Sequence, residues 1–272
     1  MKKYTLRKDL TIEVNKVTLF RIEYCFDKSL GGYIESEDNL SQEDTCMILD
    51  NAEVFGQAKV FGEAIIYGEA QVFGHAEVFG QAKVFGEAII YGQAKVFGEA
   101  IIYGEAQVFG HSEVYGQAII YGHAEVYGFG AVYGQAKVYG QAKVYGLSEV
   151  YGKARICGLA RIYDKAKVFD QAKVYGNALI FGQPEVYGQA KVFGKARIYG
   201  KAKVYGQAKV FGQAEVYGHA IIFGQSEVFG QAEVFGQARI FDHAKACNEA
   251  RIYGQADVHN QAIIYGLSEV FE

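Results

Sequence analysis

Residues 57–80 read QAKVFGEAIIYGEAQVFGHAEVFG, four near-copies of one six-residue phrase. Each copy runs Ala, a polar or aliphatic residue, Val or Ile, an aromatic, Gly, and a polar residue. From Ala52 onward the chain tiles into 36 complete hexads and a five-residue remainder with no insertion, and residues 46–51 are a degenerate earlier copy. A fixed short period of this kind marks a solenoid, in which each unit buries its apolar face against its neighbours.

The substitutions at each position say what the position does. The first is Ala nearly throughout, replaced only by Ser112, Ser148, Ser226, Ser268, Gly130 and Pro184, all small. The third is Val or Ile in every copy but Ala246. β-Branched residues favour strands, and alternate residues of a strand share a face, so positions one and three define an interior. The second position, mostly Lys, Arg or Glu, points out. The fifth is Gly in 31 copies, and before the last residue its replacements are Asp164, Asp170, Asp242, Asn248 and Asn260. Gly, Asn and Asp are the residues that tolerate positive φ, which predicts a left-handed corner there. Each hexad is therefore a short strand followed by a tight corner.

The period and interior pattern of residues 46–272 resemble the hexapeptide repeat of left-handed parallel β-helices. In that family an aliphatic residue and a small residue two positions earlier line a triangular core. The residue after the aliphatic is usually small or acidic there, whereas here it is aromatic. The resemblance implies a left-handed, triangular, all-β parallel β-solenoid. With three hexads per coil it would have about twelve coils, stacked at roughly 4.8 Å each. Two duplications bear on coil shape: EVFGQAKVFGEAIIYG occurs at 53–68 and 77–92, and GEAIIYGEAQVFGH at 62–75 and 98–111. Offsets that are multiples of twelve suit a flatter two-sided coil as well as a triangular one.

The first 45 residues differ and are read as an N-terminal cap, separate from the solenoid at 46–272. TIEVNKVTLFRIEY alternates as a hairpin does, with Asn15-Lys16 as its turn. LGGYIESEDNLSQ, residues 30–42, leads into the repeat. This lead-in followed by hexads is similar to a group of poorly characterised repeat proteins of bacteria and their phages, a resemblance that brings no known chemistry. A cap is needed physically, because an open first coil exposes unpaired strand edges.

Composition excludes several classes. No apolar run is long enough to cross a bilayer, and the basic start lacks the apolar core of a secretory signal. Cys25, Cys46, Cys157 and Cys247 are far apart and form no CxxC pair, which argues against a zinc site or disulfide framework. A reduced, cytoplasmic protein is the expectation, and a virion component is compatible with it. The net charge of −4 conceals segregation. Residues 136–213 carry 14 Lys and Arg against 4 Asp and Glu, whereas residues 1–135 carry 10 against 19 and residues 214–272 carry 3 against 8.

No catalytic, cofactor or metal site is expected. His75, His111, His123, His219 and His243 occupy the sixth position, where Gln is commonest, and read as alternatives to Gln on a solvated corner. His259 replaces an aromatic in the degenerate stretch DHAKACNEARIYGQADVHNQ, read as a worn coil in preference to a site. The histidines lack metal-ligand spacing. The regularly spaced glycines open no helix, so no phosphate loop is implied.

The aromatic position, Tyr or Phe in 34 of 37 copies, carries two compatible readings. Rings on successive coils would stack into ladders that stabilise the solenoid. They would also present an apolar stripe to a protein, a glycan or another copy.

The leading expectation is thus a non-catalytic structural or interaction rod that self-associates. The first alternative is a polyanion or single-stranded nucleic-acid binder using the basic belt, where Tyr133, Tyr139, Tyr145 and Tyr151 interleave with Lys137, Lys143, Arg155 and Arg161. Its weakness is that the belt's charges would spread over all faces. The second alternative is an acyltransferase of the hexapeptide-repeat class, disfavoured because no loop breaks the repeat to build a pocket. Ice binding is set aside, since no Thr follows Thr45. Finally, the sequence stops inside a hexad at SEVFE, and the interior around Val270 is expected to be covered by a second copy, with Phe271 and Arg251 at the contact.

Overall fold

The computed structural model describes residues 2–272. It is an all-β parallel β-solenoid of about 13 turns, with one 3-10 turn at Glu37–Asn39. The chain divides into two compact units, Met1–Gly134 and Gln135–Glu272.

In the first unit, β1 (Tyr4–Val14) and β2 (Val17–Tyr24) form an antiparallel hairpin closed by Val14 opposite Val17. Its turn is Asn15-Lys16 at φ 52° and 68°, the mirror-image turn that matches strand twist. Strand β3 (Leu30–Ile34) is the converter. It pairs antiparallel with β2 and parallel with Glu53–Val54, the first strand of the regular repeat. Leu40 then bridges Val60, and Met47–Ile48 pairs with Ile65–Ile66. The lead-in therefore winds a coil of its own, which is why the turns number about 13 rather than the twelve that the regular hexads give. Close winding there needs Gly31, where a Cβ would lie 2.6 Å from the Ile48 carbonyl oxygen.

Carboxylates seal the edge at which the regular coils start. The amides of Gly56, Gly62 and Gly68, one at each corner of the first regular coil, donate to Glu35 (2.7 Å), Asp44 (2.9 Å) and Asp50 (3.1 Å). Those corner amides would otherwise have only water. Donation from Gly62, with help from Ser41, holds the Asp44 carboxyl below its ordinary range. The Asn39 side chain donates to the carbonyls of Gly56 and Ala58. Two buried tyrosines pin the hairpin to the same coil: Tyr4 donates its hydroxyl to Leu40 O at 2.7 Å, and Tyr24 to Ile48 O at 3.0 Å. Burial pushes the Tyr24 hydroxyl up to about 12.

Beyond the cap, each hexad contributes a strand of two residues, or three at Arg251–Tyr253 and Glu269–Phe271, and successive strands of a sheet pair in parallel 18 residues apart. Lys59 pairs with Glu77 in the first unit and Lys173 with Lys191 in the second. Three strand positions per coil thus form three parallel sheets within each unit. The backbone ladder repeats the same bonds: Lys173 N donates to Ala190 O (2.9 Å), Tyr175 N to Val192 O (3.0 Å), and Asn177 N to Gly194 O (2.7 Å).

Positions one and three fill the interior as the pattern predicts; Ala172, Val174, Ala190 and Val192 are each fully buried. At roughly 25 cal/mol per Å², each such Val or Ile contributes about 1.5–3 kcal/mol of burial. Buried serines replace alanine without leaving an orphan hydroxyl, because each donates to the carbonyl three residues back. For Ser112 to Phe109 O the distance is 2.9 Å, for Ser148 to Tyr145 O 2.8 Å, and for Ser226 to Phe223 O 2.7 Å. Corner glycines from Gly56 to Gly266 have φ between 66° and 85°, and Asp164, Asp170, Asp242, Asn248 and Asn260 have φ of 57° to 61°. The acidic corners also reproduce the cap's chemistry, since Asp164 accepts from Gly182 N at 3.0 Å and Asp170 from Gly188 N at 3.2 Å, one coil on. Among the described residues, no helix is long and apolar enough to cross a membrane.

Candidate interaction surfaces

With the interior filled by Ala, Val and Ile, the outward residues carry whatever surface chemistry the chain has. The aromatic position forms columns that run from coil to coil. In the first unit Phe61–Phe79, Phe79–Phe97 and Phe97–Tyr115 stack at 4.7–4.9 Å with interplanar angles of 6° or less. In the second unit Tyr187–Tyr205 and Phe193–Phe211 both stack at 4.8 Å. Ring pairs of this kind contribute about 0.5–1.5 kcal/mol each beyond their area. Most rings lie half-buried, with a face against each neighbour and an edge toward solvent. Tyr and Phe interchange freely because the hydroxyl lies at that solvent edge. Tyr199 is one that finds a partner, donating to Glu215 at 3.0 Å, and burial together with that carboxylate raises its pKa.

The eight residues of the basic belt singled out by the sequence do not form one cluster. Lys137 pairs with Arg155 on one sheet, and Lys143 with Arg161 on another. Tyr145 stacks on Tyr163 at 5.0 Å and Tyr151 on Phe169 at 4.8 Å, in separate columns; in the first unit Tyr133 stacks on Tyr115 at 4.8 Å. Tyr139 lies beside the Lys137–Val138 strand, where Cys157 takes the aromatic position on the next coil.

Folding sorts the belt in a way that chain order conceals. On one sheet of the second unit, cations face acids on adjacent coils: Lys167 meets Glu149 at 3.1 Å, and Lys203 meets Glu185 at 3.0 Å. On another, Arg197 meets Glu215 at 3.2 Å, and Arg251 lies 3.4 Å from Glu233 and 3.5 Å from Glu269. The third is different. Its outward residues run Lys137, Arg155, Lys173, Lys191, Lys209 without an acid until Glu227. Glu227 takes Lys209 at 2.9 Å and Lys245 at 3.1 Å, and the two ammonium groups hold its carboxyl below the ordinary range. The sequence reading expected the charges to spread over every face; cations do occur on all three, and Lys143 also faces Arg161, but only this sheet runs five in direct succession. The hexad register carries the signal, and it becomes legible once 18 residues are known to close a coil.

The histidines divide between corners and columns. His123 Nδ1 lies 3.2 Å from Glu105 Oε2, His111 stacks on Phe129 at 4.8 Å, and His259 stacks on Phe241 at 5.2 Å, continuing the aromatic column. His259 thus does what an aromatic does elsewhere. His75, His219 and His243 occupy corner positions. All four cysteines are free thiols. Cys46 is buried beside Lys3, whose Nζ lies 3.3 Å from its sulfur, and burial is the main influence raising that thiol's pKa.

The coil at residues 255–272 presents the most exposed large apolar side chains of the second unit. Ile263 is 57%, Tyr265 65%, Leu267 83% and Phe271 62% exposed. Val270 pairs with Ile252, Phe271 stacks on Tyr253 at 5.2 Å, and Arg251 reaches Glu269 across the same strands. Arg251 is thereby engaged within its own chain. Set against known protein families and curated proteins, the chain matches none.

Proposed function

We infer that the chain is a non-catalytic structural and interaction protein that self-associates, through its aromatic columns and through the coil containing Val270 and Phe271. The supporting observation is the surface itself. Half-buried aromatic edges recur at every coil over long stretches of both units, and the residue 255–272 coil adds exposed Ile263, Tyr265, Leu267 and Phe271. Contiguous exposed apolar surface of this sort is what protein interfaces use. The solenoid is read as the left-handed, triangular hexapeptide-repeat type, working in the cytoplasm or as part of a virion of bacterial or phage origin. An acyltransferase is the alternative against which the non-catalytic reading is set, and release of free thiol from acyl-CoA donors would reveal it.

Sedimentation velocity across a wide concentration range, paired with negative-stain electron microscopy, tests self-association. Leu267→Glu and Val270→Lys are expected to shift the distribution toward monomer while leaving the circular dichroism spectrum unchanged. A monodisperse monomer at high concentration would refute the inference.

A further inference from the structure

We propose that the sheet of the second unit bearing Arg155, Lys173, Lys191 and Lys209 is a binding track for an extended acidic polysaccharide, lying along the stacked coils with one anionic sugar per cation.

The proposal starts from a cost. Like charges directly opposite one another on neighbouring strands destabilise a sheet. On the other two sheets of this unit, the chain places an acid beside several of its cations at 3.0–3.5 Å. Along the track it does not. Arg155, Lys173 and Lys191 have no carboxylate within ion-pairing distance among the described residues, although each lies one strand spacing, about 4.8 Å, from the next cation. The column ends where Glu227 supplies an anion to Lys209. An external polyanion would relieve the same repulsion over the coils that lack one.

Shape supports the track. The cations line one side of a groove of about 360 Å³, with Lys153 at its Arg155 end. Gln171, Gln189 and Gln207 also line it, one per coil, at the hexad position that Lys153 holds. Each coil therefore offers one positive charge and one amide able both to donate and to accept a hydrogen bond. A ligand that uses both sets must repeat an anion and hydroxyl groups at close to the coil spacing, which an extended uronic-acid chain does.

The neighbouring rings argue against a nucleic acid. Single-stranded nucleic acids are gripped by stacking bases on aromatic faces. The rings beside the track, Tyr175, Phe193, Phe211 and Phe229, stack on one another at 4.8–4.9 Å, so the faces within that column are occupied and edges remain.

The test uses the full chain and fluorescently labelled oligogalacturonate at low ionic strength, with labelled oligodeoxythymidylate and neutral dextran in parallel. Wild-type protein is expected to bind the uronate, lose it as salt is raised, and ignore dextran. Lys173→Glu with Lys191→Glu is expected to weaken binding by at least about tenfold. Lys165→Glu with Lys201→Glu makes the same change in net charge on exposed corners away from the track, and should change binding by less than about threefold. The neutral pair Lys173→Gln with Lys191→Gln, which removes repulsion, should melt no lower than wild type and still lose affinity. No uronate binding, equal losses in the two charge-reversed proteins, or tighter binding of the oligonucleotide would each overturn the proposal. Self-association is measured separately by sedimentation, so either inference can fail without the other.

Discussion

Replacing Gly140 by Ala asks two things of one methyl group. The residue has φ +72°, where an L-side chain costs roughly 1–2 kcal/mol. The added Cβ would also lie 3.1 Å from the backbone nitrogen of Gly158 and 3.3 Å from its carbonyl oxygen, on the next coil. Both neighbours are backbone within the sheet stack and cannot swing away as a flexible side chain would. The expected loss is thus at least about 1 kcal/mol and up to about 3 once crowding is added to the dihedral cost. Gly140→Asp meets the same crowding but brings an acceptor. Asp164 and Asp170 already hold corners at φ 59° and 58° while accepting the amide one coil on. The aspartate variant should therefore lie closer to wild type than the alanine variant, by about 1 kcal/mol, the typical net worth of a hydrogen bond. Solenoids open coil by coil, so native-state hydrogen exchange at the amides of residues 137–141 is the suitable assay, backed by urea denaturation. The alanine variant should speed exchange there and the aspartate variant should speed it less. Equal effects of the two substitutions would refute the benefit of the acidic acceptor, and an alanine cost below about 0.5 kcal/mol would refute the corner strain.

Val138→Asp, which puts an unpaired carboxylate at a fully buried position, is expected to cost several kcal/mol, whereas Lys137→Glu one residue away should stay within about 0.5 kcal/mol by urea denaturation; equal costs would mean that inside and outside are reversed. Asp44 has a folded pKa lowered chiefly by the Gly62 amide, so its contribution to stability is complete above the unfolded value of 3.8 and lost as pH falls through the folded one. Acid should therefore loosen the cap, seen as faster exchange of the Gly62 amide in Asp44→Asn than in wild type at neutral pH, with the two converging in acid. Tyr24 behaves oppositely: its folded pKa is raised by burial to about 12 from 10.0, so its neutral hydroxyl stabilises fully below pH 10 and that stability fades as pH climbs toward 12. Ultraviolet titration should show Tyr24→Phe removing one late-ionising phenol, and loss of a phenol that ionises near 10 instead would contradict the burial.

Much of this protein was legible in its residues because a period of six constrains every repeat at once. Ala and Val or Ile two apart must share a strand face, and a position that admits only Gly, Asp and Asn must take positive φ; Val138 inside and Gly140 at its corner follow without coordinates. The hairpin turn at Asn15-Lys16 was equally local. Adjacency between coils was not. Whether Lys173 neighbours an acid or another cation depends on how many hexads close a coil, and duplications at offsets of 24 and 36 suit more than one answer. Backbone hydrogen bonds spanning one coil decide it, by pairing Lys173 with Lys191 rather than with any residue near it in the chain. The same closure gathers Glu35, Asp44 and Asp50 onto three successive corner amides and winds the lead-in into a coil of its own; Asp44 and Asp50 keep the 18-residue offset to their amides, whereas Glu35, 21 residues before Gly56, does not. Local dihedral preference and strand alternation act within six residues and are written in the sequence. Which side chains share a sheet is a property of the closed coil, and only the tertiary structure holds it.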